Sequence, residues 1–184
     1  IIDAISKLEP ELGDHEFLGP GRITVTDMEV QTPSINAVPD EATIYIDRRL
    51  TYGEDYKAEL ERIQRIIGDR DDIAAEILIY DTPSYTGFVF PLEKYYPAWV
   101  LPEDDAYVQA GVQAGAALWG EPLPTGKWDF STNGCFWMGK AGIPSIGFGP
   151  GDEIHAHSVL DQVPLDDVVR ATEWYALLPA FLPK

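Results

Sequence analysis

The sequence predicts an α/β protein in two parts: a small α+β domain over residues 1–84, then residues 85–184 as a portion of a larger α/β domain. Three observations carry this. Residues 1–81 read in the order α, β, β, α, β, the pattern of an antiparallel sheet with two helices on one face. Residues 82–103 then hold four prolines among many aromatics, which leaves no room for a helix and marks an ordered connection between domains. Residues 143–148 (IPSIGF) form an apolar run without alternation, the pattern of a strand buried on both faces.

Each element has its own signal. Ile1, Ile2, Ile5 and Leu8 stand at helical spacing, and Pro10 with Gly13 closes that segment. In residues 21–31 the alternation of Ile23 and Val25 slips to Met28 and Val30, which predicts a strand with a bulge. Residues 42–50 alternate cleanly, with Ala42, Ile44, Ile46 and Leu50 on one face and Tyr45, Asp47 and Arg49 on the other. Gly53 and Glu54 open a helix whose stripe is Tyr56, Leu60, Ile63 and Ile67, ended by Gly68. Residues 73–80 are β-branched and bounded by turn residues, hence a strand. Residues 104–118 form a small-residue helix capped by Asp104 or Asp105 and ended by Gly120, and its Ala/Gly face predicts close packing. The last helix, about residues 165–178, presents Leu165, Val168, Val169, Thr172 and Tyr175 as its stripe, with Asp166 and Asp167 suited to its N-terminal dipole.

With 13 basic and 31 acidic side chains the net charge is −18. Such a surface repels phosphate backbones and anionic lipid, so neither nucleic acid nor a membrane surface is an expected partner. No apolar run approaches the ~18–20 residues of a membrane span. One cysteine, Cys135, excludes an internal disulfide framework and fits a reducing cytoplasm. The first residue is Ile1, in what reads as mid-helix, and a buried strand at 143–148 needs more neighbours than residues 85–184 supply. The chain is therefore expected to be a fragment.

Chemistry has few candidate seats. His155 and His157 follow the apolar run, where ligands bind at the carboxyl ends of strands. On an extended segment His-x-His would point both rings the same way; on a loop only one need turn inward, and two histidines alone do not complete a zinc site. The glycines of GFGPGD lack the residues of a phosphate loop, Cys135 reads as a core thiol, and residues 128–134 (WDFSTNG) read as a polar turn. Asp47 and Arg49 share one strand face; the arginine could bind a substrate carboxylate, or the two could belong to a cross-strand ion pair.

Two segments resemble the M20 metallopeptidases. SINAVPDEATIYIDRRL (34–50) is similar to that family's lid, or dimerisation, motif, in which Asn-x-(Ile/Val)-Pro leads into a strand ending Asp-x-Arg. GIPSIGFGPGDEIHAHSVLDQVPLDDVV (142–169) is similar to its C-terminal block: strand, Gly-Pro-Gly, a histidine followed by Ser/Thr and an acid, and a last helix. The resemblance covers the whole chain but only the C-terminal half of a typical member. It implies a lid at 1–84 and the C-terminal portion of a zinc-peptidase-like catalytic domain at 85–184. It implies a cytoplasmic hydrolase with two zinc (or cobalt or manganese) ions, cleaving the amide of an N-acyl amino acid, dipeptide or similar small carboxylate-bearing substrate. The peptidase/deacetylase branch is the nearest flavour. By the same resemblance His157 matches the C-terminal metal ligand and Arg49 the arginine that holds the substrate carboxylate. Asn36 matches the lid asparagine near the substrate, and Gly149, Pro150 and Gly151 match the loop before the ligand. His155 has no counterpart, and Asp161 stands where the family has Glu. The remaining metal ligands, the general base and the lid histidine match nothing here. The chain is therefore expected to hold no metal tightly, to be inactive alone, and to form a homodimer through the lid. The alternative is a non-catalytic dimerisation module of the same family. Arg48, on the opposite strand face from Arg49, is expected to matter less.

Overall fold

The computed structural model describes residues 1–184, which form two compact units, Ile1–Ala98 and Trp99–Lys184. The first unit is built on a long antiparallel hairpin. Helix α1 (Ile2–Ile5) is a single turn, followed by a 3-10 turn at Glu9–Glu11 that starts on Pro10. A minimal ribbon, β1 (Asp14–His15) and β2 (Gly19–Pro20), leads into β3 (Arg22–Gln31), which pairs with β4 (Glu41–Arg49). The register runs from Arg22 opposite Arg49 to Gln31 opposite Glu41, and it slips between Val25 and Asp27. The predicted bulge is thus real: the extra residue, Thr26, is what moves the apolar positions from Ile23 and Val25 to Met28 and Val30.

Helix α2 (Tyr56–Ile67) lies on the apolar face of the hairpin with α1. Ile5, Leu8 and Ile23 are buried at the centre of this core, ringed by Leu12, Val25, Ile44, Ile46, Ile63 and Ile66. Two helices on one face of an antiparallel sheet is the arrangement the element order predicts. The helix opens one residue later than expected, because Asp55 is the cap, its carboxylate accepting from the Lys57 amide at 2.9 Å.

Glu54 is engaged elsewhere, and that engagement gives Arg48 a role of its own. Arg48 lies on the core face, with its side chain only 12% exposed. Its Nη2 donates to Glu54, its Nε donates to Glu59 Oε2 at 3.0 Å, and its Nη1 donates to the Arg49 carbonyl. Glu54 also accepts from the Gly13 and Thr51 amides, each at 2.8 Å. Burial pushes the Glu54 carboxyl up, but the Arg48 guanidinium and these two amides outweigh it and hold the group below its ordinary range. Arg48 is thus a structural tie.

The strand expected at 73–80 forms only as β5 (Ile79–Tyr80), paired with β6 (Leu92–Glu93). An extended segment becomes a strand only where a partner pairs with its backbone; the Leu78 carbonyl accepts from the Lys94 amide at 2.7 Å, and residues 73–77 join no ladder. The aromatic segment joins the first unit through this pairing. Tyr95 stacks on Tyr56 of α2 at 4.0 Å between ring centroids, and the Tyr56 hydroxyl donates to Glu93 at 2.8 Å.

The second unit centres on α3 (Ala106–Trp119) against α4 (Leu165–Leu177). Asp105 caps α3 through the Tyr107 amide, and Gly120 closes it in the left-handed conformation, both as predicted. Its buried face is Ala110, Gly111, Ala114 and Gly115. A methyl on Gly111 would meet the Trp174 ring at 3.0 Å, and one on Gly115 would overlap Leu123 Cγ at 2.3 Å, so the small face exists to admit large neighbours. Trp174 Nε1 donates to the Gly111 carbonyl at 2.9 Å from full burial. This sets the orientation of α4. Ala171 and Trp174 face inward, while the expected stripe of Leu165, Val168, Val169 and Tyr175 is exposed.

No strand forms at 143–148, and Ile143 is 49% exposed. All three ladders lie in the first unit, and this apolar run finds scattered partners in place of a ladder: the Ile143 amide donates to the Trp137 carbonyl at 2.8 Å, and the Phe148 carbonyl accepts from the Tyr175 hydroxyl. Residues 135–140 form one turn of π-helix, with Cys135 buried. No helix of the chain is long and apolar enough to cross a membrane.

Candidate functional site

Arg49 ends β4 on the face away from α1 and α2. Its Nε donates to both oxygens of Asp47, at 3.0 and 3.1 Å. The pair lies along one strand, not across two, because residues two apart share a face. Both side chains are open to solvent, at 54% and 40% exposure. Such a pair contributes little to stability, but it fixes the plane of a guanidinium whose fork can take a carboxylate.

Asn36 lies in the turn between β3 and β4. Thr32 Oγ1 donates to the Ser34 carbonyl at 2.6 Å, and the Asn36 amide donates to Ser34 Oγ at 3.3 Å, so the loop orders itself. Its flanking Ile35 and Val38 are almost wholly exposed. Eight strand steps separate Glu41 from Arg49, about 27 Å at ~3.4 Å per residue. The hairpin therefore holds Asn36 and Arg49 at opposite ends, and within one copy they do not converge.

The Gly-Pro-Gly loop and the two histidines belong to the second unit. Gly149 has nothing within 4 Å of a built Cβ, while Gly151 is left-handed with Val163 beside it. Residues Glu153–His155 make a 3-10 turn, so the histidines do not sit on an extended segment and their rings part company. His155 lines an open cleft of about 420 Å³ with Gly151, Asp152, Gln162, Val163, Pro164 and Asp167. His157 packs edge-to-face on Phe130, at 6.3 Å and 89°, and Phe130 stacks on Trp128 at 6.2 Å. His157 has φ +60, the single non-glycine residue in the left-handed region. That conformation costs energy and persists where the surroundings impose it. Neither nitrogen of its imidazole meets a hydrogen-bond partner within the chain.

Nowhere in the chain do three or more His, Cys, Asp or Glu side chains gather as a metal centre. A catalytic zinc needs three protein ligands, so this chain's residues do not by themselves fit one; His157 fits as a single donor. Burial pushes the Cys135 thiol up and Lys140 only partly offsets it, which keeps that thiol protonated and agrees with a core role. Residues 128–134 also keep their plain reading in part: Thr132 Oγ1 accepts from the Gly134 amide and its carbonyl accepts from Cys135, a lead-in to the π-turn. Two contacts escape the sequence. Nothing linear announces that Phe130 meets His157. The placement of Arg22 opposite Arg49 follows only once the register and bulge are known.

Comparison with known proteins places this geometry in a family. Residues 1–74 match the model of the M20 peptidase dimerisation domain. The uncharacterised protein YgeY of Escherichia coli K12 is 39% identical over 180 residues, which are 97% of this chain and 45% of YgeY. The N-formyl-4-amino-5-aminomethyl-2-methylpyrimidine deformylase of Halalkalibacterium halodurans is 33% identical over 80 residues, 44% of this chain and 18% of that enzyme. Among solved structures, the M20 family metallo-carboxypeptidase Sso-CP2 of Sulfolobus solfataricus superposes with a TM-score of 0.58 at 16% identity, over 98% of this chain and 43% of that one. This chain thus spans about half the length of YgeY and less than half of the solved peptidase. Residues 1–74 belong to the M20 peptidase dimerisation-domain family, and the chain throughout has the fold of the C-terminal part of an M20 peptidase.

Proposed function

We propose that residues 1–84 are the lid, and residues 85–184 the C-terminal portion of the catalytic domain, of a metal-dependent amidohydrolase. Its substrate is a small molecule with a free carboxylate, an N-acyl amino acid, dipeptide or similar compound, and deacetylation is one such reaction. The observation that carries the reading is His157: a strained, left-handed residue whose imidazole nitrogens are open and whose ring rests on Phe130. Arg49, its plane set by Asp47, orients the substrate carboxylate, and the backbone at Gly149 and Gly151 lets substrate approach closely. The metal is zinc, or cobalt or manganese, and its other ligands come from residues outside this chain. The enzyme acts as a homodimer through the lid, and its one buried, unpaired thiol suits a reducing cytoplasm.

A second reading is favoured by the lack of any convergent ligand set: a dimerisation module of the same family that does no chemistry. Metal analysis of the complete protein separates the two. His157→Ala is expected to lose one metal ion and nearly all turnover, while His155→Ala keeps both. Equal loss in the two variants would mean that the histidines act as a pair. Full metal content in both would remove the metallohydrolase reading.

A further inference from the structure

Neither the backbone nor the imidazole of His157 makes a hydrogen bond within the chain. The residues around it do. The His155 amide donates to the Asp152 carbonyl at 3.2 Å, and the Ser158 amide and hydroxyl donate to the His155 carbonyl at 3.3 and 2.8 Å. The edge-to-face contact with Phe130 is the one ring, ionic or hydrogen-bonding contact of the His157 side chain. A φ of +60 on a residue with a Cβ persists only where its surroundings hold it. Hydrogen bonds do not hold His157, and the Phe130 ring lies against it.

Phe130 is itself braced from behind. Its ring stacks on Trp128 at 6.2 Å between centroids and 20°. The Trp128 indole in turn lies against Gly147, where a Cβ would stand 2.0 Å from the ring, so only glycine admits it there. Trp128 therefore meets the start of the segment 147–157, and Phe130 meets its end. The same stretch is fastened to the interior through Thr132, whose carbonyl accepts from the amide of buried Cys135 at 3.1 Å. Residues 128–130, read from sequence as part of a polar turn, thus span the Gly-Pro-Gly loop from one end to the other.

We propose that Phe130 is the positioning residue of His157: its ring, backed by Trp128 on Gly147, sets the direction of the imidazole. A histidine that ligates a metal ordinarily has its second nitrogen tied to a carboxylate, carbonyl or water, and that bond fixes the ring. Here an aromatic contact fixes it and leaves both nitrogens open. The inference deepens the reading of His157 given above and rests on it for the metal; the ring geometry stands without it.

The test follows the His157 signals by NMR in the 184-residue chain, and zinc content in the complete protein. The three histidines are assigned by single replacement. Wild type should show cross-peaks between the His157 and Phe130 rings, and the strong intraresidue amide–Hα cross-peak of a positive φ. Phe130→Leu should lose both, while the His155 signals and the melting temperature read by indole emission stay level. Phe130→Tyr keeps the ring and should keep both marks. In the complete protein Phe130→Leu should hold the zinc that His157→Ala loses ~10–100-fold more weakly, the usual cost of removing an orienting partner. Phe130→Tyr should hold it as wild type does. If the His157 signals of Phe130→Leu match wild type, the proposal is overturned whatever the metal does. If His157→Ala loses zinc and Phe130→Leu binds it as wild type does, the positioning role is overturned and the metal reading stands. If the signals move as expected but neither variant loses zinc, the ring brace stands and the metal reading falls. If the His155 signals and the melting temperature shift along with His157, Phe130 is a general packing residue and the proposal is overturned.

Discussion

Replacing Arg48 with alanine removes the one cation shared by two nearly buried carboxylates. Glu54 and Glu59 have side chains 11% and 13% exposed, and Arg48 reaches both. Breaking a buried ion pair from one side costs ~3–5 kcal/mol, because the remaining charge is left without a partner. Here part of the charge stays compensated: Glu54 keeps the Gly13 and Thr51 amides, and Arg62 stands 3.4 Å from Glu59. A loss of ~3 kcal/mol is therefore expected for the first unit. For a domain of that size it amounts to roughly 12–24 °C in Tm. Far-ultraviolet circular dichroism of Arg48→Ala against wild type measures it. The pH dependence follows from Glu54, whose folded pKa lies below its unfolded value. Its contribution is present above the ordinary carboxylate range and is lost as pH falls through that range toward the folded pKa. Arg48→Ala should thus lose most at neutral pH and approach wild type in acid. The double variant Arg48→Met with Glu54→Gln should recover part of the loss. A Tm within a few degrees of wild type at neutral pH, with the same acid profile, would refute the buried tie.

Other outcomes are expected from the same structure. In the complete enzyme Arg49→Ala should raise KM for carboxylate-bearing substrates by one to three decades, with Arg49→Lys restoring only part; steady-state kinetics on the two variants decides. Gly115→Ala should destabilise the second unit by ~1–3 kcal/mol, since its Cβ would overlap Leu123, and urea titration reads the change. Light scattering at tens of micromolar should give the mass of a dimer, in keeping with the dimerisation domain. By isothermal titration the chain alone should take up zinc no more tightly than a surface site, and it should show no amidase turnover.

The parts of the fold legible in the sequence are those governed by neighbours along the chain. The slip from Val25 to Met28 disclosed the bulge, and Asp105 with Gly120 bounded α3, because caps and alternation are local properties. What failed depended on partners. The run at 143–148 has the composition of a buried strand yet no ladder to join, and composition says nothing about who supplies the hydrogen bonds. The inward face of α4 went to Ala171 and Trp174 in place of the larger stripe, because Gly111 on α3 leaves room that the indole fills, while Gly115 admits Leu123. The signal existed: a helix face of Ala and Gly calls for a large partner, and Trp174 was available. For the candidate site, motif alone proposes Arg49 and His157. The Asp47 clamp, the Phe130 contact and the Arg22 opposition required register and tertiary packing.

The division at Ala98 and Trp99 has an optical consequence. All five tryptophans, Trp99, Trp119, Trp128, Trp137 and Trp174, fall in the second unit, and so does the single thiol, Cys135. The hairpin unit absorbs and emits only through tyrosine and phenylalanine. Indole emission therefore follows one half of the molecule and is blind to the other. If the halves unfold separately, a melt recorded that way passes over Arg48→Ala and registers Gly115→Ala; if they unfold together, it registers both. Ellipticity or tyrosine emission sees the first unit, indole emission sees the second, and thiol trapping at Cys135 times its opening. A chain so unevenly coloured carries its own two-channel readout of whether its halves unfold together.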